Sequence, residues 1–176
     1  FGFDLVQVDE AVELILKEFT NLEITGLHAH IGSQIFETKV YYDEIGVLMR
    51  ELKRINEKFN LNLNEMNIGG GLGITYTEAD CPPSVYTIAD VIKKSIKDHC
   101  AEYNMEEPVL FIEPGRSIVG TAGVTLYTVG SSKQVPKGRK YIAVDGGMAD
   151  NPRPSMYGAK YEAVIANGKE ENKPQK

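Results

Sequence analysis

Three short segments carry residue types able to manage a phosphorylated ligand: His28-Ala-His-Ile-Gly-Ser-Gln34, Gly69-Gly-Gly-Leu-Gly73 and Glu113-Pro-Gly-Arg116. A glycine run lets backbone N–H groups close on an anion, a serine hydroxyl donates to the same oxygens, and an arginine brings charge in a planar fork. Gly70, Gly71, Ser33 and Arg116, the last presented by the Pro114-Gly115 turn, therefore describe a phosphate site. His30 and Glu113 remain beside it. An imidazole can stack on a flat ring and a carboxylate can keep a ring nitrogen protonated, so a phosphorylated heterocycle would use both. Pyridoxal 5'-phosphate is such a cofactor, and its protonated ring is the electron sink that carbanion chemistry needs.

Each segment alone has a plainer use. A Pro-Gly turn closes many strands, Gly69 to Gly73 lacks the spacing of a dinucleotide loop, and a single histidine on a strand is commonly structural. What argues for a ligand is that all three fall at the ends of successive strands. In parallel α/β folds ligands gather at the carboxyl ends of strands.

The elements that must position these residues follow from hydrophobic periodicity. Asp9 is expected to cap a helix running to Phe19, with Val12, Ile15, Leu16 and Phe19 on one face. A strand from Leu22 to Ile31 follows. Thr38 then opens a helix to Phe59, whose stripe is Ile45, Leu48, Met49, Leu52, Ile55 and Phe59 and whose outer face carries Glu44, Arg50, Glu51, Lys53, Arg54 and Glu57. A strand over 63–68 ends in the glycine run. Thr87 and Asp90 resemble a capping box for a helix to Tyr103, and Val109 to Ile112 is the strand that delivers Glu113. This alternation predicts an α/β fold with a parallel sheet or barrel. Beyond Gly120 the rhythm changes: Gly123–Val129 and Lys140–Asp145 read as antiparallel strands around a turn-rich stretch, so a boundary is expected near Gly120. Asn167 to Lys176 reads as polar loop.

Composition narrows the partner. The 176 residues are 42% hydrophobic with a formal charge of -6, and no basic cluster suits nucleic acid or an anionic membrane. Cys81 and Cys100 stand apart without a metal-ligand pattern, and no long apolar run or leader-like segment is evident. A small molecule or another protein chain as partner, no metal and a cytoplasmic location are the expectations. The chain opens at Phe1 without Met and is expected to be an internal fragment.

Four motifs in order, Gly26-Leu-His-Ala-His-Ile-Gly-Ser-Gln34, Asn67-Ile-Gly-Gly-Gly-Leu-Gly73, Glu113-Pro-Gly-Arg116 and Asp145-Gly-Gly-Met-Ala-Asp-Asn-Pro-Arg-Pro-Ser-Met-Tyr157, resemble the diaminopimelate decarboxylase family. That family comprises pyridoxal-phosphate enzymes of the alanine-racemase-like barrel class. The resemblance implies that residues 1–120 are the last three βα units of a TIM-type (β/α)8 barrel and 121–176 the first strands of an all-β domain. It also implies that His30 stacks on the cofactor ring, Glu113 meets the ring nitrogen, and Ser33, Gly70 and Gly71 hold the phosphate, with Pro114, Gly115 and Arg116 beside them. Arg116, Arg153 and Tyr157 are implied to bind an amino-acid substrate, whose distal carboxylate calls for an arginine. The activity implied for the full-length protein, a homodimer, is decarboxylation of meso-diaminopimelate to L-lysine, the last step of lysine biosynthesis.

A carboxylate at the ring nitrogen suits decarboxylation better than racemisation. Ornithine, arginine and carboxynorspermidine decarboxylases of the same fold remain alternatives, as does a non-catalytic cofactor-binding or regulatory homologue. The family's cofactor-tethering lysine and its late cysteine have no counterpart in this chain, which alone is expected to be inactive.

Overall fold

The structure, a computed structural model, describes residues 2–167. Its chain divides into two compact units, one comprising residues up to 74 together with 81–120, the other comprising 75–80 and the residues from 121 onward.

In the first unit a 3-10 turn, Leu5–Gln7, leads into α1 (Val8–Glu18), followed by β1 (Gly26–His28), α2 (Lys39–Phe59), β2 (Glu65–Asn67), α3 (Val85–Tyr103), β3 (Val109–Phe111) and the short α4 (Gly115–Val119). The three strands form one parallel sheet in the order β1-β2-β3. Each is shorter than its apolar run suggested.

Helix boundaries follow local chemistry, with two departures from the expected caps. Asp4, not Asp9, is the first capping residue: its carboxylate accepts from Val6 N–H, and the Gln7 side chain returns to the Asp4 N–H. Asp9 instead lies in the first turn of α1, where it accepts from Arg54 at 2.6 Å and Lys58 at 2.8 Å of α2. Ser84, not Thr87, caps α3, its hydroxyl accepting from Thr87 N–H at 3.0 Å. Both long helices stop at an asparagine in the left-handed region, Asn60 after α2 and Asn104 after α3, each at φ 52°.

Helices α2 and α3 pack on one face of the sheet. Tyr41, Ile45, Met49, Leu52 and Ile55 of α2 are fully buried against Met66 and Ile68, with Ile88, Ile92 and Ile96 of α3 completing the core. Full burial of side chains this size stabilises by roughly 1.5–3 kcal/mol each. Along β2 the face alternates: Met66 points to the helices, while Glu65 and Asn67 point away. Leu27 and Leu110 share the helix side; Gly26, His28 and Phe111 share the other.

Two acids assigned by charge to the outer face of α2 are buried, Glu44 at 6% and Glu51 at 7% exposure. Glu51 accepts from Arg54 Nε at 2.7 Å. Glu44 has no hydrogen-bond partner among the described residues, and burial pushes its carboxyl up to about 7.

In the second unit β4 (Val129–Gln134) pairs antiparallel with β5 (Lys140–Val144), and α5 (Arg153–Tyr157) follows. Gly123 to Thr128, expected as a strand, is irregular, and the first strand instead occupies the polar residues after Val129. The second strand falls where Lys140–Asp145 was expected; the first, exposed throughout and polar after Val129, carried no in-out alternation to mark it. The expected polar tail lies, apart from Asn167, outside the described residues. Among the described residues no helix is long and apolar enough to cross a membrane.

Candidate functional site

The sheet face turned away from the helices ends in a polar rung. Register pairs His28 with Asn67 and Asn67 with Phe111, so these side chains stand side by side on one face, with Glu113 two residues beyond Phe111. Backbone bonds continue the ladder past the strands: Ala29 N–H donates to Asn67 O at 2.9 Å, Ile68 N–H to Phe111 O at 3.2 Å and Glu113 N–H to Gly69 O at 2.6 Å. The three strand-end segments are thereby tied to one another before any ligand is considered.

The glycines permit this closeness. A Cβ at Gly70 would stand 2.1 Å from Glu113 O, and one at Gly71 would stand 2.3 Å from Gly32 O. Gly69 and Gly71 also adopt positive φ, 64° and 87°. Tight packing of the loops on each other, rather than room for a ligand, is what excludes side chains at Gly70 and Gly71.

Around the glycines the expected site residues come together. His30 Nδ1 accepts from Gly70 N–H at 3.1 Å, which assigns the ring proton of the neutral imidazole to Nε2. The Gly70 amide, assigned by sequence to a phosphate, is thus engaged by His30. Tyr41 donates its hydroxyl to Gly70 O at 3.4 Å from beneath, and burial raises that phenol to about 12. Ile35 N–H donates to Gly71 O at 2.9 Å, and among the described residues the Gly71 N–H has no acceptor. Arg116 Nη2 donates to Ser33 Oγ at 2.7 Å. Pro114 and Gly115 form the turn into α4, where Gly115 N–H returns to Glu113 O at 2.8 Å.

Glu113 is exposed and faces two side chains of the polar rung. Asn67 Nδ2 donates to its Oε1 at 2.9 Å, and His28 Nε2 lies 3.7 Å from the same oxygen. An accessible carboxylate, a histidine of defined tautomer and an arginine-serine pair are therefore arrayed along one set of strand ends. That donor set fits a phosphorylated, nitrogen-containing ring: anion donors at one end, a carboxylate for the nitrogen at the other.

Several contributors carry no obvious sequence signal. Gln34 spans a loop by donating to Ile74 O at 2.6 Å and accepting from Ile74 N–H at 3.2 Å, which pins the end of the glycine segment. Asn67 was readable as a strand end, but its bond to Glu113 depends on strand register. Neither cysteine enters this set; Cys81 is exposed and Cys100 is half-buried, its thiol raised by burial.

In the second unit Arg153 and Tyr157 lie together on α5, with the guanidinium carbon 5.9 Å from the tyrosine ring centroid. Arg153 Nε is buried and, among the described residues, has no hydrogen-bond partner. At the start of the same motif Asp145 accepts from Thr128 N–H at 2.7 Å, and that bond holds its carboxyl below the usual range.

Comparison with known proteins gives this geometry a family. The chain is 45% identical over 170 residues to a diaminopimelate decarboxylase of Bacillus methanolicus, matching 95% of this chain and 39% of the relative. It is 49% identical over 167 residues to one from Synechocystis, matching 95% of this chain and 35% of that protein. The chain thus spans little more than a third of the curated relatives it matches. Among solved structures, the diaminopimelate decarboxylase of M. jannaschii superposes with a TM-score of 0.77 at 33% identity, over 93% of this chain and 37% of that one. The family model described as "Pyridoxal-dependent decarboxylase, pyridoxal binding domain" matches residues 1–120. The α/β unit that gathers His30, Ser33, Glu113 and Arg116 is this pyridoxal-binding domain, and the chain belongs to the pyridoxal-dependent decarboxylases.

Proposed function

We propose that the full-length protein carrying this chain decarboxylates meso-diaminopimelate to L-lysine with pyridoxal 5'-phosphate. The observation that carries the reading is the meeting of Glu113, His30 and the Ser33–Arg116 pair at the ends of three adjacent parallel strands. Identities of 44–49% to diaminopimelate decarboxylases favour that substrate over ornithine or arginine. In this reading residues 1–120 are the last three βα units of an eight-stranded barrel and 121–176 begin an all-β domain. The protein works as a cytoplasmic homodimer.

When bound, the cofactor supplies an electron sink for the pair released as carbon dioxide leaves. The chain's residues set the conditions. Ser33, Arg116 and the Gly71 N–H hold the phosphate, Gly70 contributing the turn rather than its amide, with Pro114 and Gly115 shaping the approach of Arg116. His30, its tautomer held by Gly70, lies flat against the ring. Glu113 keeps a proton at the ring nitrogen. Arg116 is also assigned to the substrate, and Arg153 with Tyr157 to its distal amino-acid head, whose carboxylate calls for an arginine.

None of the segments 28–34, 67–73 and 113–116 contains a lysine, so the 176-residue chain alone is proposed to be inactive. The test supplies the full-length protein with cofactor and compares meso-diaminopimelate, ornithine and arginine by the lysine, diamine or guanidino amine each yields. Lysine from diaminopimelate with the highest kcat/KM is expected. Faster turnover of ornithine or arginine, or no turnover at all, overturns the proposal.

A further inference from the structure

We infer that Asn67 is the positioning residue for Glu113: it aims the carboxylate at the cofactor's ring nitrogen and couples that aim to the glycine run. The inference rests on the proposed role of Glu113.

Three observations carry it. Asn67 uses both ends of its amide, Nδ2 donating to Glu113 Oε1 at 2.9 Å and Oδ1 accepting from Gly69 N–H at 2.8 Å. The orientation is unambiguous, because a flipped amide would set NH2 against the Gly69 N–H and oxygen against the carboxylate, two repulsive pairs. Secondly, the Glu113 main chain is bound to the same glycine, its N–H donating to Gly69 O at 2.6 Å, so Asn67, Gly69 and Glu113 close a ring of hydrogen bonds. Thirdly, Glu113 lies two residues beyond β3 at an exposed turn, whereas Asn67 is the last residue of the central strand. A rigid element therefore orients an acid that stands on a turn.

The chemistry explains why an amide is needed. Asn67 occupies one lone-pair region of Oε1 and leaves Oε2 without a protein donor among the described residues, available to a protonated ring nitrogen. Aspartate at 67 keeps the acceptor for Gly69 N–H but sets a second carboxylate against the first. Alanine removes both bonds.

The test uses the full-length protein in cofactor-free form. Dissociation constants are measured for pyridoxal 5'-phosphate and for its 1-deaza analogue, in which CH replaces the ring nitrogen. The wild type is expected to prefer the nitrogen-containing ligand, and Glu113→Gln to lose that preference. Asn67→Asp, which keeps the bond to Gly69, should reduce it roughly tenfold, the scale of one charge-assisted hydrogen bond, while affinity for the deaza analogue, which reports intact folding, stays unchanged; Asn67→Ala, which also frees Gly69, should reduce the preference as much and weaken both ligands besides. Asn67→Ala made in the Glu113→Gln background should add nothing to the preference.

Equal losses for both ligands in the Asn67 variants, with Glu113→Gln behaving as expected, overturn the positioning role and leave the Glu113 reading standing. A preference that survives Glu113→Gln overturns both.

Discussion

Arg116 Nη2 donates to Ser33 Oγ at 2.7 Å, joining the segment after β3 to the segment after β1 across 83 residues of sequence. The bond orients the hydroxyl as an acceptor toward arginine, which leaves its proton to be donated elsewhere. A phosphate oxygen suits that donor, and the guanidinium beside it supplies the charge. In the full-length protein Arg116→Ala is expected to weaken pyridoxal 5'-phosphate binding by about tenfold or more, and pyridoxal without the phosphate by much less. Titration of the cofactor-free protein with both ligands measures this. Equal losses would remove Arg116 from the phosphate end.

Glu44 makes stability depend on pH in the direction opposite to an ordinary paired acid. Burial raises its carboxyl from 4.5 to about 7, so between those values the folded chain retains a proton that the unfolded chain has released. Stability from this group is complete below the lower value, declines as pH rises toward the upper one and stays lost above it. The whole span is at most about 3.5 kcal/mol, at ~1.4 kcal/mol per pH unit. Glu44→Gln keeps the shape and removes the titration. Urea unfolding at about pH 5 and pH 8 should show the wild type losing up to about 2.5 kcal/mol more than Glu44→Gln over that interval; parallel profiles would contradict the assignment.

The start of α3 rests on Ser84. Its hydroxyl accepts from Thr87 N–H and lies 2.8 Å from the Thr87 hydroxyl, so Ser84→Ala should cost about 1 kcal/mol. Asp90 is exposed and has no cap to serve, so Asp90→Ala should stay within about 0.5 kcal/mol. Chemical denaturation of the two variants separates the readings. A larger cost at Asp90 would restore the capping box that sequence spacing suggested.

The contrast at α3 typifies what was legible. Ile45, Leu48, Met49, Leu52 and Ile55 announced the buried face of α2, because helical periodicity survives whatever packs on it. The motif residues at the strand ends were readable by chemical type, and His30, Gly70 and Glu113 do meet. Glu44 was misread because charge suggested solvent, whereas Tyr41, Ile45 and Leu48, on the same side of the helix, carry it into the protein. β4 was displaced because Gly130 to Gln134 is polar and exposed, so its position is set by pairing with β5 rather than by an apolar pattern. Asn67 was invisible as a partner of Glu113, since only the alignment of Asn67 with Phe111 brings the acid within reach.

Arg153 offers the sharpest test of substrate. It begins α5 within Asn-Pro-Arg-Pro, its guanidinium lies over Tyr157, and its buried Nε has no acceptor among the described residues. An N–H donor withdrawn from water without a partner costs roughly 1–3 kcal/mol, so the side chain is held in place by its packing, with the terminal nitrogens of the fork left to meet a carboxylate. Diaminopimelate brings such a carboxylate at its distal head, whereas ornithine and arginine do not. In the full-length protein Arg153→Ala should therefore raise KM for diaminopimelate by about tenfold or more, with unchanged folding by circular dichroism and a smaller change in kcat. Arg153→Lys should recover only part of the loss, because an ammonium lacks the planar fork. Kinetics indistinguishable from wild type in Arg153→Ala would place the distal head elsewhere and leave the buried Nε a purely structural feature of α5.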